Sequence, residues 1–141
     1  MQGGDPTLAL RHSKCLSADV NAAMDPTFQD VMERKNASFL NYGVVVTKYT
    51  GARGKSSTSD ASAEYVAEVR ALLDRENIVW QMGEMGKVDI GGGGTVAMFV
   101  ANMGVDVVDL GVPVLSMHAP FETTAKFDVY MCYRAMYEFM K

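Results

Sequence analysis

Cysteine is scarce in this chain of 141 residues, with only Cys15 and Cys132 present and no Cys-x-x-Cys pair. That excludes a disulfide scaffold or a thiolate zinc knuckle and leaves two buried thiols in a reducing compartment as the plain reading. Histidine is as thin, His12 and His118 being the two, and His12, with no partner at metal-ligand spacing, reads as a surface residue. No apolar run approaches the roughly 20 residues that a spanning helix needs, and no membrane partner is expected. The net charge is −4 with no basic block, which removes the electrostatic footprint of a nucleic-acid partner. The opening, Met1 to Pro6, has neither a basic nor an apolar leader region, so no secretory signal is expected. Ser116 lies two residues before His118 but lacks an elbow, so no Ser-His-Asp set is legible.

What remains describes one folded domain. The apolar fraction is 48% and the charged fraction 21%, ordinary values for a globular chain of this length. The 11 methionines read as adaptable core filler. Strands are predicted over 14–20, 43–49, 78–82 and 105–110, the second and last rich in β-branched residues. Helices are predicted over about 60–74, with Ala63, Val66, Val69, Leu72 and Leu73 on one face, then 96–103 and 123–140. Thr95 is a candidate N-cap and Gly104 a left-handed terminator. Residues 27–42 carry no period, and 51–60 and 83–94 are loops. The order β-β-α-β-α-β-α predicts an α/β sheet flanked by helices.

Two strand ends carry chemistry-bearing groups. Asp19 follows the first strand, where it reads as a turn residue, an N-cap or a metal ligand. His118 follows the strongest apolar strand and reads as a hydrogen-bonded structural histidine or a zinc donor. Glu122, four residues on, either orients His118 or opens the last helix. The run Gly91–Gly94 lacks the Lys-Ser/Thr of a phosphate loop; side-chain-free backbone there lets a ligand or another strand come close.

Four segments, SADVNAAMDP (17–26), KYTGARGKSSTSDASAEYV (48–66), GKVDIGGGGT (86–95) and DLGVPVLSMHAPFE (109–122), together resemble the aminopeptidase I branch of the aminopeptidase I/aspartyl aminopeptidase family. The resemblance runs from about Leu8 onward. It implies a three-layer α/β/α, phosphorylase/hydrolase-like zinc exopeptidase domain, cytoplasmic, oligomeric and acting on peptides through water activated by two zinc ions. Asp19 and His118 correspond to one terminal ligand on each metal. Lys48, Gly92 and Gly93 correspond to parts of the substrate-binding wall. Aspartyl-selective members carry a histidine three residues after the SAD acid; here that position is Ala22, which implies a preference for neutral N-terminal residues.

The family's remaining ligands and its general base should precede Asp19, yet the eighteen residues there contain no Glu. The resemblance therefore implies the C-terminal part of a catalytic domain, 1–141, inactive alone and associating with itself or with a missing N-terminal half. The alternative is a non-catalytic α/β scaffold or assembly module derived from such an enzyme.

Overall fold

The computed structural model describes residues 4–51, 53 and 55–141; Met1–Gly3 of the leader, and Ala52 and Gly54 of the 51–60 loop, lie outside the described residues. A short helix α1 (Pro6–Arg11) leads in, with Asp5 accepting from the Thr7 amide at 2.9 Å. The strands are β1 (Lys14–Ser17), β2 (Asn21–Ala22), β3 (Val44–Thr47), β4 (Trp80–Met82), β5 (Asp106–Gly111) and β6 (Pro113–Val114). The longer helices are α2 (Ala63–Arg75) and α4 (Lys126–Phe139), with a single-turn α3 (Ala97–Ala101) between them.

β1, β5, β3 and β4 form a four-stranded sheet in that order. β1 runs parallel to β5 and β3 parallel to β4, while the central β3–β5 pair is antiparallel. β2 and β6 pair separately as a parallel two-stranded sheet. The strand predicted over 14–20 ends at Ser17, and the chain turns at Asp19; Asn21–Ala22, which the Asn and Pro of 21–26 mark as a turn, instead form β2 in the second sheet.

Alternation along the strands sorts the two faces of the main sheet. Leu16, Val44, Val46, Val108 and Leu110 point to one side and pack with Tyr65, Val66, Val69 and Leu73 of α2 and Met131 and Ala135 of α4. Burying these aliphatic side chains, at roughly 1.5–3 kcal/mol each, is the main force holding the helices down. Ser62 caps α2 by accepting from the Tyr65 amide at 3.2 Å. Ala63, which the sequence places on the core face, is exposed, and Tyr65 is buried. α4 starts at Lys126, three residues later than predicted, and is tied to the lead-in of β3 by a buried carboxylate. Asp128 accepts from the Asn41 and Gly43 amides, both at 2.8 Å.

The opposite face is polar toward the strand tips. Asn21, Ser38, Thr47, Thr95 and Asp109 are all buried. The Ser38 hydroxyl donates to Asn21 Oδ1 and the Asn21 amide donates to Thr47 Oγ1, both at 2.8 Å, so Asn21, Ser38 and Thr47 are paired as interiors require. The two cysteines are free and half-buried rather than fully buried. Gly104 ends the α3 region with φ +86, as a left-handed terminator should.

Candidate functional site

The chain leaves β1 at Ser17, and its next turn is closed by the Asp19 amide donating to the Ser17 carbonyl at 3.0 Å. Asp19 Oδ1 then accepts from the Val20 amide at 2.8 Å. This is a turn residue's hydrogen bond, and it leaves the second carboxylate oxygen available. β5 passes so close beneath that a Cβ built on Gly111 would lie 1.3 Å from the Asp19 carbonyl oxygen. Only glycine fits there.

His118 sits not on a strand tip but on a loop beyond β6. That loop is clasped at its neck by Leu115 and Thr123, whose backbones exchange hydrogen bonds of 2.9 and 3.1 Å. Ser116 and His118 both take left-handed φ, +57 and +66, a conformation that costs a non-glycine residue on the order of 1 kcal/mol. Glu122 accepts from the His118 backbone amide. It holds the turn rather than the imidazole, and it precedes α4 instead of opening it. The imidazole itself is exposed.

Asp19 and His118 line one cleft of about 410 Å³, together with Val20, Ala22, Val31, Met32, Met85, Met117 and the glycines 91–94. Gly92 and Gly93 of the sequence reading are in its wall. Lys48 is not among the lining residues; its ammonium pairs with Asp60, which also takes Lys55 at 2.6 Å. Two cations beside one carboxylate hold the Asp60 pKa below the ordinary range against the opposing effect of its partial burial.

Three features of this region were not read from sequence. The wall is apolar, with Met32, Met85 and Met117 supplying flexible thioethers. Thr95, assigned above as an N-cap, instead donates its hydroxyl to Asp109 Oδ2 at 2.8 Å, while Val96 takes the cap position of α3. A small recess of about 30 Å³ adjoins the cleft, sharing Met85, Gly86 and Gly91 with it, and is lined by Glu84, Tyr49 and Lys55. Burial pushes the Glu84 carboxyl up to about 8 despite Lys55 and Lys48, and its Oε2 is buried without a hydrogen-bond partner among the described residues. The one available sequence signal was Asp109 itself, a carboxylate inside the β-branched run 105–110.

Residues 3–140 match the family model for aminopeptidase I zinc metalloproteases, M18. The chain belongs to the M18 family. Curated M18 relatives include probable M18 family aminopeptidase 1 of Clostridium acetobutylicum, 52% identical over 122 residues, and that of Thermotoga maritima, 49% identical over 132. These cover 86% and 92% of this chain but 26% and 29% of the relatives, so the M18 chain spans somewhat over a quarter of their length. The crystal structure of an M18 aminopeptidase from Thermotoga maritima superposes with a TM-score of 0.93 at 47% identity, covering 96% of this chain and 30% of that one. The sheet and helices described above are therefore part of an M18 catalytic domain.

The family is one of zinc enzymes, and the donors present can be weighed against that metal. Zinc takes three or four protein donors in stable sites. Among the described residues no group of three or more His, Cys, Asp or Glu is placed to hold a metal ion. Asp19 and His118, of the right chemistry and in one cleft, fall short of a zinc site by themselves. No helix among the described residues is long and apolar enough to cross a membrane.

Proposed function

We propose that this chain is the part of a zinc-dependent aminopeptidase that supplies two metal donors, Asp19 and His118, and one wall of the peptide-binding cleft. The observation that carries the reading is the convergence of those two side chains, from segments about a hundred residues apart in sequence, on one cleft with the Gly91–Gly94 run. In the whole enzyme each would serve one of two zinc ions, and residues outside this chain would complete both sites and provide the general base. The work left to this chain is binding and orientation. Exposed backbone at Gly92 and Gly93 suits close approach of a peptide main chain. An apolar wall of Met32, Met85, Met117 and Val31, with Ala22 among the lining residues and no Lys or Arg among the described ones, suits a neutral N-terminal side chain. Lys48 would act from outside the cleft, through its pairing with Asp60.

Self-association belongs to the same proposal. Tyr130, Tyr133 and Tyr137 stack along the exposed side of α4, with ring centroids 6.2 and 6.1 Å apart, and such surfaces favour a protein partner. The donor shortfall also favours a second reading, a non-catalytic module that keeps Asp19 and His118 without using them.

The test is zinc stoichiometry by elemental analysis, paired with an aminoacyl-anilide assay, on the 141-residue chain and on Asp19→Asn and His118→Gln. The expected result is weak zinc binding that either substitution abolishes, with no turnover. Robust turnover that survives both substitutions would overturn the donor assignment. Zinc binding indifferent to both would favour the non-catalytic module.

A further inference from the structure

Asp109 is an anomaly in its own strand. It lies in the middle of the main sheet, between Ser17 of β1 and Thr47 of β3 in register, and is only 6% exposed. One carboxylate oxygen accepts the Thr95 hydroxyl. The other, Oδ1, is buried with no hydrogen-bond partner among the described residues. An apolar residue would suit that position better on packing grounds, since a buried oxygen left unpaired costs on the order of 1–3 kcal/mol. A chain that breaks a local rule at such a place usually does so for function.

The anomaly leads directly to the cleft. Thr95 is itself 92% buried, being 8% exposed, yet it lines the cleft and follows the four glycines without a gap. Among the described residues, two backbone hydrogen bonds hold those glycines. Gly91 donates to the Lys87 carbonyl at 2.7 Å, and the Gly93 carbonyl accepts from the Gly51 amide at 2.8 Å. Gly92 takes φ +108, and a run without side chains loses more conformational freedom on ordering than any other. On the same face of β5, two residues beyond Asp109, Gly111 lies against the Asp19 carbonyl. β5 therefore touches both walls of the cleft from below: the Asp19 turn through Gly111, and the glycine run through Asp109.

We propose that Asp109 is a positioning residue whose grip on the Thr95 hydroxyl fixes the Gly91–Gly94 backbone at the height where a peptide main chain meets it. The proposal rests on the reading of the cleft as a peptide site, but the anchoring can be measured without metal or peptide. Burial raises the Asp109 pKa, with the Asp19 carboxylate adding to the rise and the Thr95 hydroxyl opposing it, as fits a group enclosed by protein rather than by water.

The test is amide hydrogen exchange by NMR on the metal-free chain, read at Gly51, whose N–H is bonded to Gly93, and at Gly91. Val69 and Leu73 of α2 serve as internal references. Thr95→Val should speed exchange at Gly51 and Gly91 by about tenfold relative to the references, the fold-change that one hydrogen bond to a charged group carries. Thr95→Ser, which keeps the hydroxyl, and Asp109→Asn, which keeps an acceptor in place, should stay within about threefold of the parent. Equal acceleration at all four amides, or none at Gly51 and Gly91, would overturn the proposal. If Thr95→Val does not fold, Thr95→Ala is read instead, with the same tenfold acceleration at Gly51 and Gly91 expected and its absence overturning the proposal; tenfold acceleration in either conservative variant also refutes it. Failure of the peptide-site reading would appear separately, as the zinc and anilide results above.

Discussion

Gly111→Ala is the sharpest perturbation available. The added methyl carbon would lie 1.3 Å from the Asp19 carbonyl oxygen, 2.4 Å from its carbon and 3.3 Å from the Val20 nitrogen. An ordinary carbon–oxygen contact is about 3.4 Å or longer, so β5 and the β1 turn must part by about 2 Å. All three contacts are backbone atoms, and no rotamer change can relieve them. Overpacking of this kind costs typically 1–3 kcal/mol. Absence of a soft neighbour places this case at the upper end, about 3 kcal/mol, or roughly 10 °C in melting temperature for a domain of this size. The assay is thermal unfolding by circular dichroism together with hydrogen exchange at the Val20 amide, which donates to Asp19 Oδ1. Gly93→Ala is the control, because its nearest atom would be the Met85 methyl at 3.8 Å; it should melt within about 2 °C of the parent. The reasoning is refuted if Gly111→Ala melts with the parent and its Val20 amide exchanges at the parental rate.

Two further substitutions test other parts of the structure. Asp128→Ala removes the acceptor of one buried and one part-buried amide, those of Gly43 and Asn41, and should cost about 3 kcal/mol in urea unfolding, whereas Asp128→Asn, keeping one acceptor, should cost about half; equal stability of Asp128→Ala and parent would refute the clamp. Glu84 supplies a pH test. Its folded carboxyl titrates at about 8 against an ordinary 4.5, so the folded state holds that proton longer than the unfolded one. Its stabilising contribution is complete below about pH 4.5 and is lost as pH climbs toward 8. The full shift sets a ceiling near 5 kcal/mol, and screening at a partly exposed group reduces this to about 2 kcal/mol. Glu84→Gln should therefore flatten the decline in urea midpoint between about pH 5 and pH 8.5; parallel curves for the two proteins would refute the assignment.

Most elements were legible because their signals are local. The β-branched strands around Val44 and Val107, the α2 periodicity and the Gly104 terminator each depend on neighbours a few residues away. What escaped was set by distant partners. The chain changes sheets at Asp19 because Val112 and Val114 offer carbonyls to the Asn21 and Ala23 amides, and nothing near residue 19 announces that. Thr95 has the identity and spacing of an N-cap, but Asp109 competes for its hydroxyl and wins. Tyr65 joins the α2 core face because its ring packs inside while its hydroxyl reaches the Cys15 carbonyl at 3.0 Å. At the cleft, Asp19, His118, Gly92 and Gly93 were named from the resemblance, and the structure gathers them around one volume. Lys48 was named on the same ground and stands apart, tied to Asp60 by a charge pairing that the sequence spacing of twelve does not reveal.

The clamp between α4 and β3 also sets an order of events during synthesis. Asp128 reaches back 85 and 87 residues to the amides of Gly43 and Asn41, and Lys14 finds its sheet neighbour only at Asp106. Closing loops of that length is slow and must precede any gain from the contacts. A ribosome will have released β1 and β3 long before their partners exist, leaving apolar edges open to other chains meanwhile. Yield of soluble protein should thus respond to translation speed and chaperone supply far more than the 141-residue length of this chain would suggest.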